Sequence, residues 1–131
     1  MSTSMGVFRI ECEIVNPRQP RRSARVRHLL VDSGSEFTWV PGDVLDRIGI
    51  RIAKKDQQFV MANGQTVTRS VGYAIIRAAA FETIDEVVFA LPGDLSLLGS
   101  RTLEGFGAHV DARNKRLVAA GPHLAAGPVR R

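Results

Sequence analysis

The sequence has few of the residues on which disulfides, metal sites and base-stacking surfaces depend. It contains one cysteine, Cys12, which excludes an internal disulfide and a cysteine-rich zinc site. The three histidines, His28, His109 and His123, are far apart in the sequence, with no two at metal-ligand spacing. Aromatic residues make up only 6% of the chain, which leaves few platforms for stacking single-stranded nucleic acid. We therefore expect no metal and no cofactor, and we rank nucleic acid low among partners.

Long hydrophobic runs are also absent. No apolar stretch approaches the roughly 20 residues of a membrane-spanning helix, and no basic segment followed by a long apolar core opens the chain. These absences predict a cytoplasmic protein with no membrane partner. A length of 131 residues predicts one domain and excludes a two-lobed enzyme, while 44% hydrophobic residues suffice for a buried core.

The charge balance is basic, with 18 Lys+Arg against 13 Asp+Glu and a formal net charge of +5. The densest basic stretch lies beside two prolines and comprises Arg18, Arg21, Arg22, Arg25 and Arg27. A solvated hairpin loop is the favoured interpretation. The alternative is an adaptor surface for nucleic acid or an acidic partner, whose affinity would fall steeply with salt.

Short apolar segments with period-two alternation dominate the pattern, which is typical of strands with one buried face. In the first of them Cys12 alternates with charged residues, so we expect a small core residue rather than a reactive thiol. The predicted extended segments are 7–15, 24–31, 37–40, 58–62, 65–71, 72–80, 83–91, 95–98, 108–111 and 117–118. One or two short helices are expected, with candidates over 43–48 and after a cap at Ser100.

This pattern predicts an all-β domain over 1–121, built as a small β-barrel or sandwich, with a flexible C-terminal tail over 122–131. One hairpin is marked by Asn63-Gly64, because both turn residues accept positive φ.

The tripeptide Asp32-Ser33-Gly34 stands out because its carboxylate directly follows an apolar strand ending at Val31. A buried carboxylate is costly unless hydrogen bonds, a partner charge or a shared proton stabilise it. The backbone amides of a glycine turn supply such hydrogen bonds. Taken alone, however, the tripeptide is also explained by an Asp32 that only caps its own turn.

Further motifs accompany this turn in a fixed order. They are Leu29-Leu30-Val31-Asp32-Ser33-Gly34-Ser35, then Thr38, Val40 and Pro41, and much later Leu97-Leu98-Gly99, Leu103 and Asp111. Over about residues 6 to 119 the chain resembles the retropepsin-like aspartic proteases, in particular their bacterial single-domain members. The resemblance implies a closed, barrel-like acid-protease half that acts as a homodimer and cleaves polypeptides as an aspartic endopeptidase.

The resemblance also implies roles for the three turn residues. Asp32 would be the catalytic acid and base, and Ser33 the hydroxyl that hydrogen-bonds across the dimer axis. Gly34 would be the backbone donor to the carboxylates. Ser33 stands where threonine is commoner, which keeps the hydroxyl but loses the methyl group that stiffens χ1. Two such carboxylates share one proton and activate water without a metal.

By the same resemblance, Met61, Ala62, Asn63 and Gly64 would form a flap over a substrate bound as an added strand. The alternative is an ordinary surface hairpin. We expect structural roles for Leu97-Leu98-Gly99, with the glycine at a close approach of two segments, and a turn role for Asp111. His28 is expected to be a partly buried structural residue.

A second function stays open, because a fold does not guarantee an activity. The chain would then be a catalytically silent dimeric module that binds extended peptide segments in the same groove. The change Asp32→Asn separates the two, since it would remove turnover in a protease and alter little in a binding module. The polar tail over 123–131 offers no clean strand to close a dimer.

Overall fold

A computed structural model describes residues 8–125 of the chain. Within this range the strands are β1 (Arg9–Val15), β2 (Ser23–Val31), β3 (Thr38–Pro41), β4 (Lys54–Val60), β5 (Thr66–Ala78), β6 (Phe81–Ala90), β7 (Leu97–Leu98), β8 (Ala108–Asp111) and β9 (Arg116–Ala119). The helices are α1 (Gly42–Arg47) and α2 (Ser100–Phe106). Neither helix has the length and apolarity that crossing a membrane requires.

Seven of the strands form one sheet in the order β1-β2-β7-β3-β6-β5-β4. Strand β1 also pairs with β5, so the sheet closes into a ring from which β4 projects beside β5. The pairs β2–β7 and β3–β6 are parallel, and the remaining pairs are antiparallel. Strands β8 and β9 form a separate hairpin. The predicted all-β domain with one or two short helices is therefore confirmed.

The alternation in β1 determines which side chains enter the core. Cys12 and Ile14 are buried inside the ring, whereas Glu13 faces outward opposite Arg25 of β2. Burial raises the pKa of the Cys12 thiol to about 12, so this group remains protonated at neutral pH. Cys12 is thus a core residue, as the alternation predicts.

Both helices close the core from outside the sheet. Helix α1 buries Leu45, and α2 buries Leu103 and Phe106. The Phe106 ring stacks on Phe81 of β6 with 5.7 Å between ring centroids. Burial of these side chains against β6 brings the start of α2, and with it Gly99, close to the centre of the sheet.

The prediction of two separate strands over 65–71 and 72–80 is wrong, because β5 runs unbroken through Gly72. A Cβ atom at Gly72 would lie 2.6 Å from the backbone oxygen of Arg51. The glycine therefore allows a close approach of the segment before β4, and it does not interrupt the strand.

Three smaller predictions also differ from the structure. Gly99, rather than Ser100, is the N-cap of α2, and its position has no side-chain cap. The buried run predicted over 95–98 begins later, since Leu95 is 59% exposed. His28 is exposed rather than partly buried, because the strand register shifts beside it, and its backbone carbonyl accepts a hydrogen bond from the Arg9 side chain at 3.1 Å.

Three residues of the basic stretch, Arg18, Arg21 and Arg22, lie in the connection between β1 and β2, while Arg25 and Arg27 belong to β2, and all five are exposed. Asn16 organises this loop through its side-chain oxygen, which accepts the backbone N–H groups of Arg18 and Gln19. Arg22 donates to the carbonyl oxygen of Arg47 at 2.9 Å. The observed geometry agrees with a solvated hairpin loop. Residues 122–125 form neither strand nor helix, whereas residues 126–131 of the predicted tail lie outside the described range.

Candidate active site

The Asp32 turn begins where β2 ends. The backbone N–H of Asp32 donates to the Leu98 carbonyl at 3.0 Å, which joins the turn to β7. The Gly34 N–H donates to the Asp32 carboxylate oxygen Oδ1 at 3.0 Å. Asp32 is half-buried, while Ser33 and Gly34 are exposed. This bond agrees with the expected stabilisation of the carboxylate by the glycine turn, and it agrees equally with an Asp32 that only caps its own turn.

The start of α2 holds the far side of the turn. The backbone N–H of Ser100 donates to the Ser35 carbonyl at 2.7 Å, and that of Arg101 donates to the Glu36 carbonyl at 3.1 Å. A Cβ atom on Gly99 would lie 2.6 Å from the carbonyl carbon of Phe37. Gly99 is thus the close-approach glycine that the sequence predicts, and the turn is fixed by backbone contacts from two sides.

A cleft of about 730 Å³ separates the Asp32 turn from the β4–β5 hairpin. Its lining comprises Asp32, Gly34, Ser35, Glu36, Phe37, Trp39, Gln57, Gln58, Phe59, Val60, Met61, Ala62, Leu95 and Leu97. Four of the predicted site residues therefore share one cleft: Asp32, Gly34, Met61 and Ala62. The other three, Ser33, Asn63 and Gly64, are exposed beside it and do not line it.

The floor of this cleft holds an aromatic cluster that the sequence reasoning missed. The Phe59 ring contacts Phe37 and Trp39 edge to face, with 5.2 Å between centroids in each pair. The chain has only six Phe and one Trp, and three of these seven side chains meet here. The sequence did contain a signal for this cluster. Two of the few aromatic residues follow Asp32 closely, and a third lies in β4.

The tip of the β4–β5 hairpin is a three-residue loop. The Gly64 N–H donates to the Met61 carbonyl and the Met61 N–H to the Gln65 carbonyl, both at 2.8 Å. Only Gly64 has positive φ, at 86°, so the expectation that Asn63 shares this conformation is wrong. Asn63 instead accepts the Gln65 N–H through its side chain at 2.9 Å, a local bond that its usual backbone conformation allows.

A buried ion pair connects this hairpin to the turn before β7. The Arg69 guanidinium binds both carboxylate oxygens of Asp94, at 2.7 and 2.8 Å, and the two side chains are only 14% and 10% exposed. The hydrogen bond from Arg69, and then that from the Leu91 N–H, hold the pKa of Asp94 below its usual value. Arg69 also lies over the Trp39 ring, 6.0 Å from its centroid. The base of the hairpin is therefore tied to the cleft floor.

Other carboxylates do not form a comparable site. Asp111 closes the β8–β9 turn, where Asn114 donates to it at 2.9 Å and lowers its pKa, with a smaller contribution from Arg116. Its predicted turn role is confirmed. A second concavity of about 750 Å³ includes Asp43 and Asp46, but it contains no turn of the Asp32 type. In residues 8–125, no three His, Cys, Asp or Glu side chains are grouped to hold a metal ion.

A comparison with protein families decides the relationship of the chain. Residues 23–118, from β2 to β9, match the model of a family described as aspartyl protease. The chain belongs to this aspartyl protease family, which is of the retropepsin-like type. No curated protein matches the sequence. The matched range includes the Asp32 turn, the β4–β5 hairpin and α2, and membership indicates a hydrolase that acts on peptide bonds.

Proposed function

We propose that this protein is an aspartic endopeptidase whose active site forms when the Asp32 residues of two copies meet in a homodimer. The observation that supports the proposal most strongly is the Asp32 carboxylate, held by the Gly34 N–H and open to a cleft of about 730 Å³. Ser33 and Gly34 are exposed in the single chain, as expected of residues that a second copy would cover.

Two carboxylates are needed because the reaction requires a base and an acid at once. Two carboxylates a few ångströms apart share one proton, since ionising both is costly. The ionised Asp32 removes a proton from water, whose oxygen bonds to the peptide carbonyl carbon. The protonated Asp32 of the second copy donates to the carbonyl oxygen. The tetrahedral intermediate then breaks its C–N bond as the first Asp32 gives the amine nitrogen the proton that it took from water. The Asp32 of the second copy takes back a proton from a hydroxyl of the intermediate as the new carboxyl group forms.

The neighbours of Asp32 have supporting roles in this proposal. The Gly34 N–H stabilises the ionised carboxylate, and the Ser33 hydroxyl hydrogen-bonds across the dimer axis to fix the two turns together. Serine keeps this hydroxyl in the absence of the threonine methyl group. No metal takes part in these steps.

The β4–β5 hairpin would act as the flap. Met61, Ala62, Asn63 and Gly64 would cover an extended polypeptide, whose backbone pairs with the hairpin as an added strand. The aromatic cluster of Phe37, Trp39 and Phe59 supports a preference for bulky apolar side chains next to the scissile bond.

The domain limits belong to the same proposal. The unit that dimerises would be 1–121, because β9 ends at Ala119 and the described residues after it, 120–125, form no regular element. A cytoplasmic location, which the single cysteine favours, stays a prediction for this protein.

A peptide-pool assay tests the proposed activity. The protein is incubated with a diverse peptide pool at about pH 4 to 7, where a shared-proton pair works, and products are identified by mass spectrometry. We expect cleavage by the wild-type protein and none by Asp32→Asn. The matched control is Asp43→Asn, which removes an exposed carboxylate of α1 and should cleave as the wild type does.

Two outcomes would contradict the proposal. Cleavage by Asp32→Asn would show that another group catalyses the reaction. No cleavage by a folded, dimeric wild-type protein, together with peptide binding that survives Asp32→Asn, would favour the silent peptide-binding module instead.

A further inference from the structure

A row of hydrogen bonds, buried except at its Asp85 end, runs from the centre of the sheet to the segment behind the Asp32 turn. The Gly99 N–H donates to Thr38 Oγ1 at 3.0 Å, and the hydroxyls of Thr38 and Thr102 are 2.6 Å apart. Thr102 in turn donates to the Asp85 carboxylate at 2.9 Å. Both threonines are fully buried. The row therefore joins β3, α2 and β6 through two buried hydroxyls and the half-buried Asp85 carboxylate.

The direction of each bond in this row follows from counting hydrogens. A threonine hydroxyl has one hydrogen to donate and lone pairs to accept with. Because Thr102 gives its hydrogen to Asp85, its oxygen must accept the hydrogen of Thr38. The oxygen of Thr38 is then left to accept the Gly99 N–H. Every bond points toward the Asp85 carboxylate, which gives the row a single arrangement.

The row ends one residue from a direct contact with the Asp32 turn. Gly99 follows Leu98, whose carbonyl accepts the Asp32 N–H at 3.0 Å. The next residue, Ser100, donates its N–H to the Ser35 carbonyl at 2.7 Å. A shift of the Gly99 backbone would therefore move these two bonds to the turn, and with them the Asp32 carboxylate.

We propose that Thr38, Thr102 and Asp85 are positioning residues that fix the place of the Asp32 carboxylate through the backbone of Gly99. The proposal rests on the proposed function of Asp32 but adds residues that do not line the cleft. Catalysis by paired carboxylates needs their separation held to a fraction of an ångström, and an error of about 1 Å costs about 100-fold in rate. A hydrogen-bonded row with one arrangement holds this geometry better than apolar packing does.

A simpler role exists for the same residues. The two hydroxyls could merely satisfy each other in the core, as buried polar groups must. In that case, their removal would lower the stability of the fold without changing the position of Asp32. Two measurements distinguish these roles: the turnover number and the chemical environment of the Asp32 turn. A loss of stability alone changes neither of them.

The test compares Thr102→Val, which keeps the shape and removes the hydroxyl, with Thr102→Ser, which keeps the hydroxyl. The substrate is a peptide that the wild-type protein cleaves in the pool assay. We expect kcat to fall about 10- to 100-fold in Thr102→Val, with KM changed less than about 2-fold. In Thr102→Ser we expect kcat within about 3-fold of wild type. The control Ile76→Val lowers the stability of the core outside the row and should leave kcat unchanged.

A second readout does not depend on activity. The amide resonance of Gly34, which reports the bond to Asp32, is recorded by NMR for the same variants. We expect it to shift in Thr102→Val and to keep its wild-type position in Thr102→Ser and Ile76→Val. A protein without Asp32-dependent cleavage refutes the proposed function, and the resonance then decides the positioning role by itself.

Three results would overturn the positioning role. One is a Gly34 resonance that does not move in Thr102→Val. Another is an unchanged kcat in an active protein despite a moved resonance. The third is an equal loss of kcat in Thr102→Ser, because the hydroxyl would then not be the group that matters.

Discussion

Gly99 shows at the scale of one residue how closely the chain is packed behind the Asp32 turn. Its φ of −93° and ψ of 176° are extended values that any residue adopts, so its backbone conformation does not require glycine. The requirement is space, because a Cβ atom would lie 2.6 Å from the Phe37 carbonyl carbon and 2.7 Å from the Glu36 oxygen. These neighbours are backbone atoms, which cannot rotate away.

We predict that Gly99→Ala lowers the free energy of unfolding by about 1 to 3 kcal/mol, the usual cost of forcing extra atoms into a packed site. Urea denaturation at one fixed protein concentration measures this loss, since the stability of the proposed dimer would depend on concentration. An unchanged unfolding midpoint would show that the crossing segments have room to separate.

The Arg69–Asp94 pair predicts a pH-dependent contribution to stability. The pKa of Asp94 is lowered in the fold, from about 3.9 in an unfolded chain, so the pair stabilises the fold at pH values above the unfolded pKa. That stabilisation is lost as the pH falls through the folded pKa. At pH 7 we expect Asp94→Asn to cost about 1.5 to 3 kcal/mol, the range for hydrogen bonds to charged groups.

Denaturant unfolding of both proteins at pH 7, 5 and 3 checks this prediction. The difference between wild type and Asp94→Asn should be constant at pH 7 and 5 and become smaller at pH 3. A difference that grows as the pH falls would contradict a lowered pKa for Asp94.

At the scale of elements, the β5–β6 turn contains a residue in an unfavourable conformation. Ala79 has φ 52°, in the left-handed region that costs a residue with a Cβ atom about 1 kcal/mol or more. Its neighbour Ala80 does not have positive φ and is a matched control. We predict that Ala79→Gly raises the free energy of unfolding by about 0.5 to 1 kcal/mol, whereas Ala80→Gly lowers it by about 0.5 kcal/mol.

Thermal unfolding of the two variants measures both effects side by side. Equal destabilisation by both substitutions would mean that the strain at Ala79 is smaller than the entropy that glycine adds to the unfolded chain.

Local patterns in the sequence predict the elements well and their junctions less well. Alternation predicts β1, and the position of Asp32 after an apolar strand predicts a carboxylate satisfied by a glycine turn. The strand break expected before Gly72 is absent, because this glycine is needed for the close approach of the Arg51 backbone rather than for a turn. The type of turn at Asn63-Gly64 also depends on how the strands align across it, which two residues do not specify.

At the scale of the whole molecule, contacts between distant parts of the chain determine the site. Thr38 and Thr102 are 64 positions apart, and Arg69 and Asp94 are 25 apart, yet each pair is in direct contact. Periodic patterns along the chain do not reveal contacts between distant residues. The sequence alone therefore predicts neither the hydrogen bond between Thr38 and Thr102 nor the ion pair between Arg69 and Asp94. The family motifs supply the order of the elements, and the closed sheet brings their side chains together.

The most direct test of paired Asp32 residues is a mixing experiment. Wild-type protein and Asp32→Asn are mixed at constant total concentration, allowed to exchange subunits, and assayed with a peptide that the wild type cleaves. If each active site needs both carboxylates, activity falls with the square of the wild-type fraction, because every mixed dimer is inactive. Activity proportional to the wild-type fraction would show that one Asp32 per site suffices, and it would contradict the proposed mechanism.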